Sequence, residues 1–113
     1  MARDRLSRIF AALADPTRRA VLARLLEGEA TVSELVAAHE LSQPAMSKHL
    51  KVLDEAGLIR RTRHAQWRSS TLDTDALREV AGWMEPYRAF WDAGFARLDA
   101  HLETMKTKEH PDG

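Results

Sequence analysis

The stretch LSQPAMSKHLKVLDEAG, residues 41–57, decides the fold, because its pattern predicts one helix with two chemically different faces. Ser42 can cap the N-terminus, Pro44 falls in the first turn where its missing N–H costs little, and Gly57 is a natural stop. Three apolar side chains recur four and three residues apart and form one stripe: Met46, Leu50 and Leu53. The stripe needs a core to pack against, which the rest of the chain has to supply.

The opposite face of this helix carries polar and cationic side chains, namely Gln43, Ser47, Lys48 and Lys51. In a DNA major groove glutamine pairs geometrically with adenine and lysine with guanine, so we predict that Gln43, Ser47 and Lys48 contact base edges. Lys51 is a candidate for a phosphate contact. An ordinary amphipathic helix with a solvated face has the same pattern, and the flanking sequence has to decide between the two interpretations.

Shorter helices are predicted before this stretch. The first spans residues 4–14, and its one buried face is predicted to be formed by Leu6, Ile9, Phe10 and Leu13. Asp15-Pro16 ends it and begins a second helix, which runs to about Glu27 before Gly28. The side chains that this second helix is predicted to bury are Val21, Leu22, Leu25 and Leu26.

A capping box, Thr31-Val-Ser-Glu34, begins the third helix, Val32–His39, which is predicted to bury Leu35 and Val36. A turn of about three residues joins this helix to the stretch 41–57. Two helices joined by so short a turn, the second with a polar outer face, match a helix-turn-helix. This context favours the DNA-binding interpretation.

After Gly57 the pattern changes from helical to extended. Leu58–Arg63 and Gln66–Leu72 lack the helical period and are predicted to form a two-stranded hairpin around His64-Ala65. Cationic side chains cluster on this hairpin, or wing: Arg60, Arg61, Arg63, His64 and Arg68. A phosphate backbone would relieve their mutual repulsion, so we predict phosphate contacts for the four arginines, with a plain solvated charge run as the alternative. Trp67 is expected to anchor the wing to the body.

Positive charge is concentrated in the middle third of the chain, although the formal net charge is zero. Residues 42–72 carry six lysines and arginines against two acids, whereas residues 73–113 carry five against nine. A polyanion meets the local basic patch, so a zero net charge does not exclude DNA. Outside this patch, Arg18 and Arg19 at the start of the second helix either reach phosphates or pair with acidic side chains.

The last third of the chain predicts a helix that is capped by Asp73 and kinks or breaks at Pro86. Its first apolar stripe is Leu77, Val80, Ala81 and Met84. From Met84 to Met105, six apolar steps average 3.5 residues, which is coiled-coil spacing. One small domain cannot cover so rich a stripe, so we predict a homodimer in which this helix and the first helix pack against their symmetry mates. The predicted interface residues are Leu6, Phe10, Tyr87, Trp91, Phe95, Leu98 and Leu102.

Length and composition predict one domain, residues 1–105, followed by a disordered tail, residues 106–113. The chain has no run of about 18 apolar residues and no signal peptide, so no membrane partner is expected, and the lack of cysteine fits a reducing cytoplasm. It also lacks a Gly-rich phosphate loop and a nucleophile elbow. We therefore expect a cytoplasmic protein, associated with the nucleoid by its function, that is not an enzyme and has no cofactor.

The order of four helices, a wing and one or two helices is that of a winged helix-turn-helix, which is mainly α with a small β-hairpin. Its segments ALADPTRRAVLARLLEGEATVSEL (12–35) and LSQPAMSKHLKVLDEAGLIRR (41–61), with the wing, resemble the ArsR family of bacterial transcriptional regulators. The resemblance implies a dimer, usually a repressor, that binds operator DNA with the fourth helix in the major groove. Twofold symmetry then predicts a palindromic operator. His49 matches a family position and is expected to brace this helix or touch a phosphate.

The chain departs from the metal-sensing members of that family. Those carry a cysteine pair in the third helix, where this sequence has ELVAAHE. A second family site pairs Asp and His of the last helix across the dimer, and Asp99 and His101 have the spacing that begins it. We expect no metal site, and keep a metal-responsive regulator using these two residues as one alternative. The other alternative is a winged-helix protein-interaction module, which would not bind duplex DNA with a steep dependence on salt.

Overall fold

The computed structural model describes residues 4–64 and 67–109, except for the side chains of residues 64, 95, 96, 99 and 105–109. The helices are α1 (Arg5–Leu13), α2 (Pro16–Leu25), α3 (Val32–His39), α4 (Gln43–Glu55), α5 (Thr74–Met84) and α6 (Arg88–Glu109), with a 3₁₀ turn at Glu85–Tyr87 before the last. The strands are β1 (Ala30–Thr31), β2 (Ile59–His64) and β3 (Trp67–Leu72). The predicted fold, mainly α with a small β-hairpin in a winged helix-turn-helix order, is confirmed.

The first four helices begin at side-chain caps that the sequence supplies. The cap residues are Asp4, Asp15, Thr31 and Ser42. At Ser42, for example, the side-chain Oγ accepts a hydrogen bond from the N–H of Ala45 at 3.2 Å. Such caps satisfy backbone donors that have no partner inside the helix, and so they fix the residue at which each helix starts. The predicted caps of α2, α3 and α4 are confirmed.

The wing belongs to a three-stranded antiparallel sheet in the order β1-β3-β2. β2 and β3 pair along their full length, with Arg63 opposite Arg68. β1 pairs with Ser69 and Ser70 of β3, and it was not predicted because two residues are too few to show a strand period. Since β1 ends at Thr31, the cap of α3, this pairing ties the wing to the start of the helix-turn-helix.

The core is built on the apolar stripe predicted for α4. Met46, Leu50 and Leu53 are fully buried, as predicted. They share the core with fully or almost fully buried side chains from other elements: Ile9, Val21, Leu35, Leu58 and Ile59. Burying one such side chain contributes roughly 1.5–3 kcal/mol, so α4 cannot rotate about its axis without losing several contributions of this size. The core therefore fixes which face of α4 meets solvent.

Two side chains predicted on buried faces are exposed. Leu26 is 74% exposed, because α2 ends at Leu25 and the residues before it fill the core-facing positions. Phe10 is 37% exposed, because Ile9 and Ala12 take the core-facing positions of α1. The extra apolar surface on α1 had also been predicted as part of a dimer interface.

The chain divides into two compact units at Val80. α5 begins in the first unit, where Ala76 is buried and Leu77 and Val80 pack against the core. Ala81 and Met84, predicted to continue this buried stripe, are exposed. They lie beyond the end of the unit that holds the core, which is the physical reason for the difference.

The second unit contains the end of α5, the 3₁₀ turn and α6. Pro86 lies in the 3₁₀ turn, so the predicted break is confirmed. The exposed large apolar side chains described in this unit are Trp83, Met84, Tyr87, Phe90, Trp91, Leu98 and Leu102. α6 runs to Glu109, past the domain boundary predicted at residue 105, and residues 110–113 lie outside the described part of the chain. Among the described helices, none is both long and apolar enough to cross a membrane.

Candidate nucleic-acid interface

Four of the predicted DNA-contacting side chains line one cleft between α4 and the wing. Gln43 and Ser47 come from the start of α4, Arg61 from β2 and Arg68 from β3. The cleft has a volume of about 340 Å³ and is completed by Thr31, Val32, Ser33 and Trp67. We call it the α4–wing cleft. Residues far apart in the sequence, three of them cationic or amide-bearing, thus face one space.

Thr31 to Ser33 are lining residues of this cleft that the sequence did not predict. They lie where β1 passes into α3, and β1 is the strand that the sequence pattern could not show. The capping box at Thr31 was visible, but its position beside the wing depends on the pairing of β1 with β3. Trp67, expected to anchor the wing, lines the same cleft and is 52% exposed.

A second concavity on the wing gathers three arginines. Arg61, Arg63 and Arg68 line a space of about 230 Å³ together with Thr62 and Asp54. Like charges placed directly opposite each other on paired strands are destabilising, and Arg63 and Arg68 have this arrangement. A phosphate group placed between them would replace repulsion with two charge-assisted hydrogen bonds.

The outer face of α4 is open along its length. Gln43, Lys48 and Lys51 are exposed, and Ser47 is half-buried. Because the buried stripe fixes the rotation of α4, these four side chains cannot turn into the core. The geometry therefore presents amide, hydroxyl and ammonium groups on the side predicted to read DNA.

Arg60 differs from the other three arginines of the wing. Its Nε lies 3.2 Å from Asp73 Oδ2, in an ion pair that joins β2 to the start of α5. Asp73 also accepts a hydrogen bond from the N–H of Asp75 at 3.0 Å. The pKa of the Asp73 carboxyl is lowered, first by that backbone bond and then by the bond from Arg60. Side chains alternate along a strand, which puts Arg60 on the other side of β2 from Arg61 and Arg63.

Arg18 and Arg19, whose roles the sequence left open, bind the C-terminal end of α1. Arg18 Nε donates to the Ala12 carbonyl at 2.7 Å and its Nη2 donates to the Ala11 carbonyl at 3.2 Å. Arg19 Nη1 donates to the Leu13 carbonyl at 2.7 Å. The last carbonyls of a helix have no partner within it, so the two arginines complete α1.

His49 braces α4 against the start of α2, which is one of the two roles expected for it. Its Nδ1 lies 3.4 Å from Arg18 Nη1 and 3.8 Å from Asp15 Oδ2. The pKa of the Asp15 carboxyl is lowered, chiefly by the hydrogen bond from the Arg18 backbone N–H, with the charges of Arg18 and His49 acting in the same direction.

The residues considered for a metal site do not form one in the described part of the chain. His101 is exposed on α6, and the side chain of Asp99 lies outside the described residues. Within residues 4–64 and 67–109, no group of three or more His, Asp or Glu side chains is placed to hold a metal ion. The prediction that the chain has no metal site therefore stays a prediction.

Comparison with known proteins gives consistent matches. The model of the arsR family of bacterial regulatory proteins matches residues 15–61, from the cap of α2 into β2. The transcriptional repressor SdpR of Bacillus subtilis is 33% identical over 79 residues, which are 70% of this chain and 88% of SdpR. The arsenic resistance regulator ArsR1 of Pseudomonas putida is 50% identical over 60 residues, which are 52% of this chain and 47% of that protein.

Solved structures agree with these matches. The crystal structure of an ArsR family transcriptional regulator superposes with a TM-score of 0.71 at 38% sequence identity, covering 81% of this chain and 97% of the other. An ArsR-like regulator from Rhodococcus superposes with a TM-score of 0.67 at 28% identity, covering 85% and 91%. These relatives are transcriptional regulators, so the predictions of a DNA-binding regulator and of a protein that is not an enzyme are confirmed.

Proposed function

Because this chain belongs to the ArsR family and is a DNA-binding transcriptional regulator, we propose that it is a homodimeric repressor that binds a palindromic operator. The observation that carries the proposal is the α4–wing cleft, in which Gln43 and Ser47 of α4 meet Arg61 and Arg68 of the wing. An interface that reads sequence needs both base-reading and phosphate-binding groups, and this cleft and its margins combine them.

In this proposal α4 is the recognition helix and enters the major groove. Gln43, Ser47 and Lys48 face base edges, because they lie on the first two turns of the exposed side of α4. The phosphate contacts come from Lys51 on the same helix and from three arginines of the wing: Arg61, Arg63 and Arg68. Arg60 was also predicted to bind phosphate, but its ion pair with Asp73 supports a structural role, holding β2 to α5.

The homodimer is supported by the apolar surface that the chain leaves exposed. In the second unit, Tyr87, Trp91, Leu98 and Leu102 of the predicted interface are 37–51% exposed. In the first unit, Phe10 is 37% exposed and Leu6 is half-buried. Phe95 belongs to the same predicted set, but its side chain lies outside the described residues. So many exposed large apolar side chains mark a surface that is buried in an interface. A second copy of this chain carries the same apolar surface, so the two copies can cover each other.

Twofold symmetry of the dimer sets the expected form of the operator. Two recognition helices reach the same face of DNA when the half-sites are about 34–36 Å apart, one turn of the double helix. Binding to chromosomal operators places the protein at the nucleoid in the cytoplasm. We expect a repressor to act there by occupying a promoter, and SdpR of Bacillus subtilis is a transcriptional repressor.

Selection from random duplexes tests the proposal. The full chain is incubated with a pool of duplexes, and bound sequences are amplified and read over several rounds. We expect an inverted repeat with half-sites one helical turn apart, bound by two protomers per duplex. Enrichment of an asymmetric site bound by one protomer would contradict the dimer, and no enrichment at any ionic strength would contradict operator binding.

A further inference from the structure

One guanidinium connects the recognition helix to the end of α1. Arg18 donates to the carbonyls of Ala11 and Ala12, and its remaining Nη1 lies 3.4 Å from Nδ1 of His49 on α4. Arg18 is part-buried, and the His49 side chain is 22% exposed. Arg18 thus adds a polar connection between α4 and the last turn of α1 to the apolar contacts of the core.

In the hydrogen bond between the two side chains His49 Nδ1 is the acceptor, because a guanidinium has donors only. The same nitrogen lies 3.8 Å from Asp15 Oδ2. Asp15 and Arg18 are the charged groups that face the ring from α2, and Arg8 of α1 and Glu55 of α4 line the adjoining groove.

We propose that Arg18 is a positioning residue for operator recognition, acting on α4 through His49. This inference rests on the proposed function. Ser47 and Lys48 immediately precede His49 in the chain, so a displacement of His49 moves the groups that meet base edges. Base-edge hydrogen bonds require a close match in position, whereas long cationic side chains follow a phosphate over a wider range. Loss of the Arg18–His49 contact therefore lowers discrimination between sequences more than it lowers overall affinity.

The test is the ratio of the dissociation constants for a random duplex and for the selected operator, measured by equilibrium titration. A smaller folded fraction weakens binding to both duplexes equally and leaves this ratio unchanged, so the ratio separates positioning from stability. We expect Arg18→Lys and His49→Gln each to lower the ratio about five-fold, and the double variant to lower it no further, since both break one contact. Arg19→Lys is the matched control: Arg19 bonds the same helix end through the Leu13 carbonyl, and the ratio should not change.

Two results would overturn this inference and leave the proposed function intact. One is a wild-type protein that discriminates between the duplexes while Arg18→Lys and His49→Gln do so equally well. The other is an equal loss on both duplexes with a salt slope smaller by about one, which would make Arg18 a phosphate contact. Failure of the wild-type protein to bind any duplex would overturn the proposed function together with this inference.

Discussion

Arg63 and Arg68 face each other directly across the two long strands of the wing. The free protein therefore holds two like charges at one position of the sheet, an arrangement that is destabilising relative to neutral pairs. The same pair gives a phosphate two donors at once. We infer that the wing gives up some stability in the free state to bind DNA.

Replacing one of this pair should separate stability from binding. We expect Arg63→Ala to leave the free energy of unfolding unchanged or slightly higher, and to weaken operator and random duplex by similar factors. The slope of log affinity against log salt should fall by about one. Arg78→Ala, which removes an arginine that is 80% exposed on α5, is the control and should change neither the affinity for duplex nor the salt slope. An Arg63→Ala protein with wild-type affinity and salt slope would remove Arg63 from the interface.

Unlike Arg63, Ser47 and Lys48 should contribute more to binding of the operator than to binding of a random duplex. Both lie on the exposed side of α4, so Ser47→Ala or Lys48→Ala should weaken operator binding by about 1–3 kcal/mol and random-duplex binding much less. Paired titrations of the two duplexes measure the difference. Equal operator affinity for both variants and the wild type would show that this face of α4 does not read bases.

The second unit gives a prediction about assembly. Trp91 is 37% exposed on α6, and placing a carboxylate there should disrupt the proposed dimer. We expect Trp91→Asp to sediment as a monomer, and Arg97→Asp, a charge change on the same helix outside the predicted seam, to sediment as a dimer. Sedimentation of the wild-type protein as a monomer at micromolar concentration would refute the interface.

Acid stability follows from the carboxyls that begin the helices. The pKa values of Asp15 and Asp73 are lowered, in each case first by a backbone hydrogen bond at a helix start. A carboxyl with a lowered folded-state pKa contributes stability above its unfolded value, about 3.9 for aspartate, and this contribution is lost as the pH falls through the folded value.

We therefore expect the urea midpoint to fall between about pH 5 and about pH 2. Asp15→Asn keeps an oxygen acceptor for the cap but removes the titration, so this variant should lose less of its stability over that range. The two urea series, read by far-UV circular dichroism, make the comparison. Superimposable acid profiles for Asp15→Asn and wild type would argue against a contribution from this carboxyl.

Glu40 in the turn before α4 has a φ of +53°, which is a left-handed conformation that a side chain disfavours. Glycine adopts it without a clash, although it loses more freedom on folding. We expect Glu40→Gly to raise the free energy of unfolding by about 0.5–1 kcal/mol, and Glu40→Ala, which keeps a Cβ, to give no such gain. Chemical denaturation that ranks the glycine variant at or below the alanine variant would contradict the assigned conformation.

The starts of the helices could be predicted because each cap and its hydrogen-bond donor are close in the sequence. Ser42 accepts a hydrogen bond from the N–H of Ala45, three residues later. The apolar stripe of α4 could be predicted for the same reason, since it repeats within one helix. The exposure of Leu26 could not be predicted, because it depends on where α2 ends and on what fills the core beside it. β1 was missed for a related reason, since a strand of two residues exists only through its partner β3.

The candidate interface shows the same division between local and long-range information. The types of side chain that form it were visible in the sequence, and so was their concentration in residues 42–72. Strand register determines that Arg61 lines the α4–wing cleft while Arg60, one residue earlier, pairs with Asp73. Arg18 could not be assigned, because its partner His49 is 31 residues away in the chain.

The backbone amide signals of the full chain, mapped by NMR with and without the selected operator, locate the DNA-binding surface residue by residue. We expect the largest shifts in two segments, residues 43–51 of α4 and residues 61–68 of the wing, and small shifts in the first turn of α1 and in α3 beyond Ser33. Large shifts confined to other surfaces, with these two segments unchanged, would contradict the proposed interface.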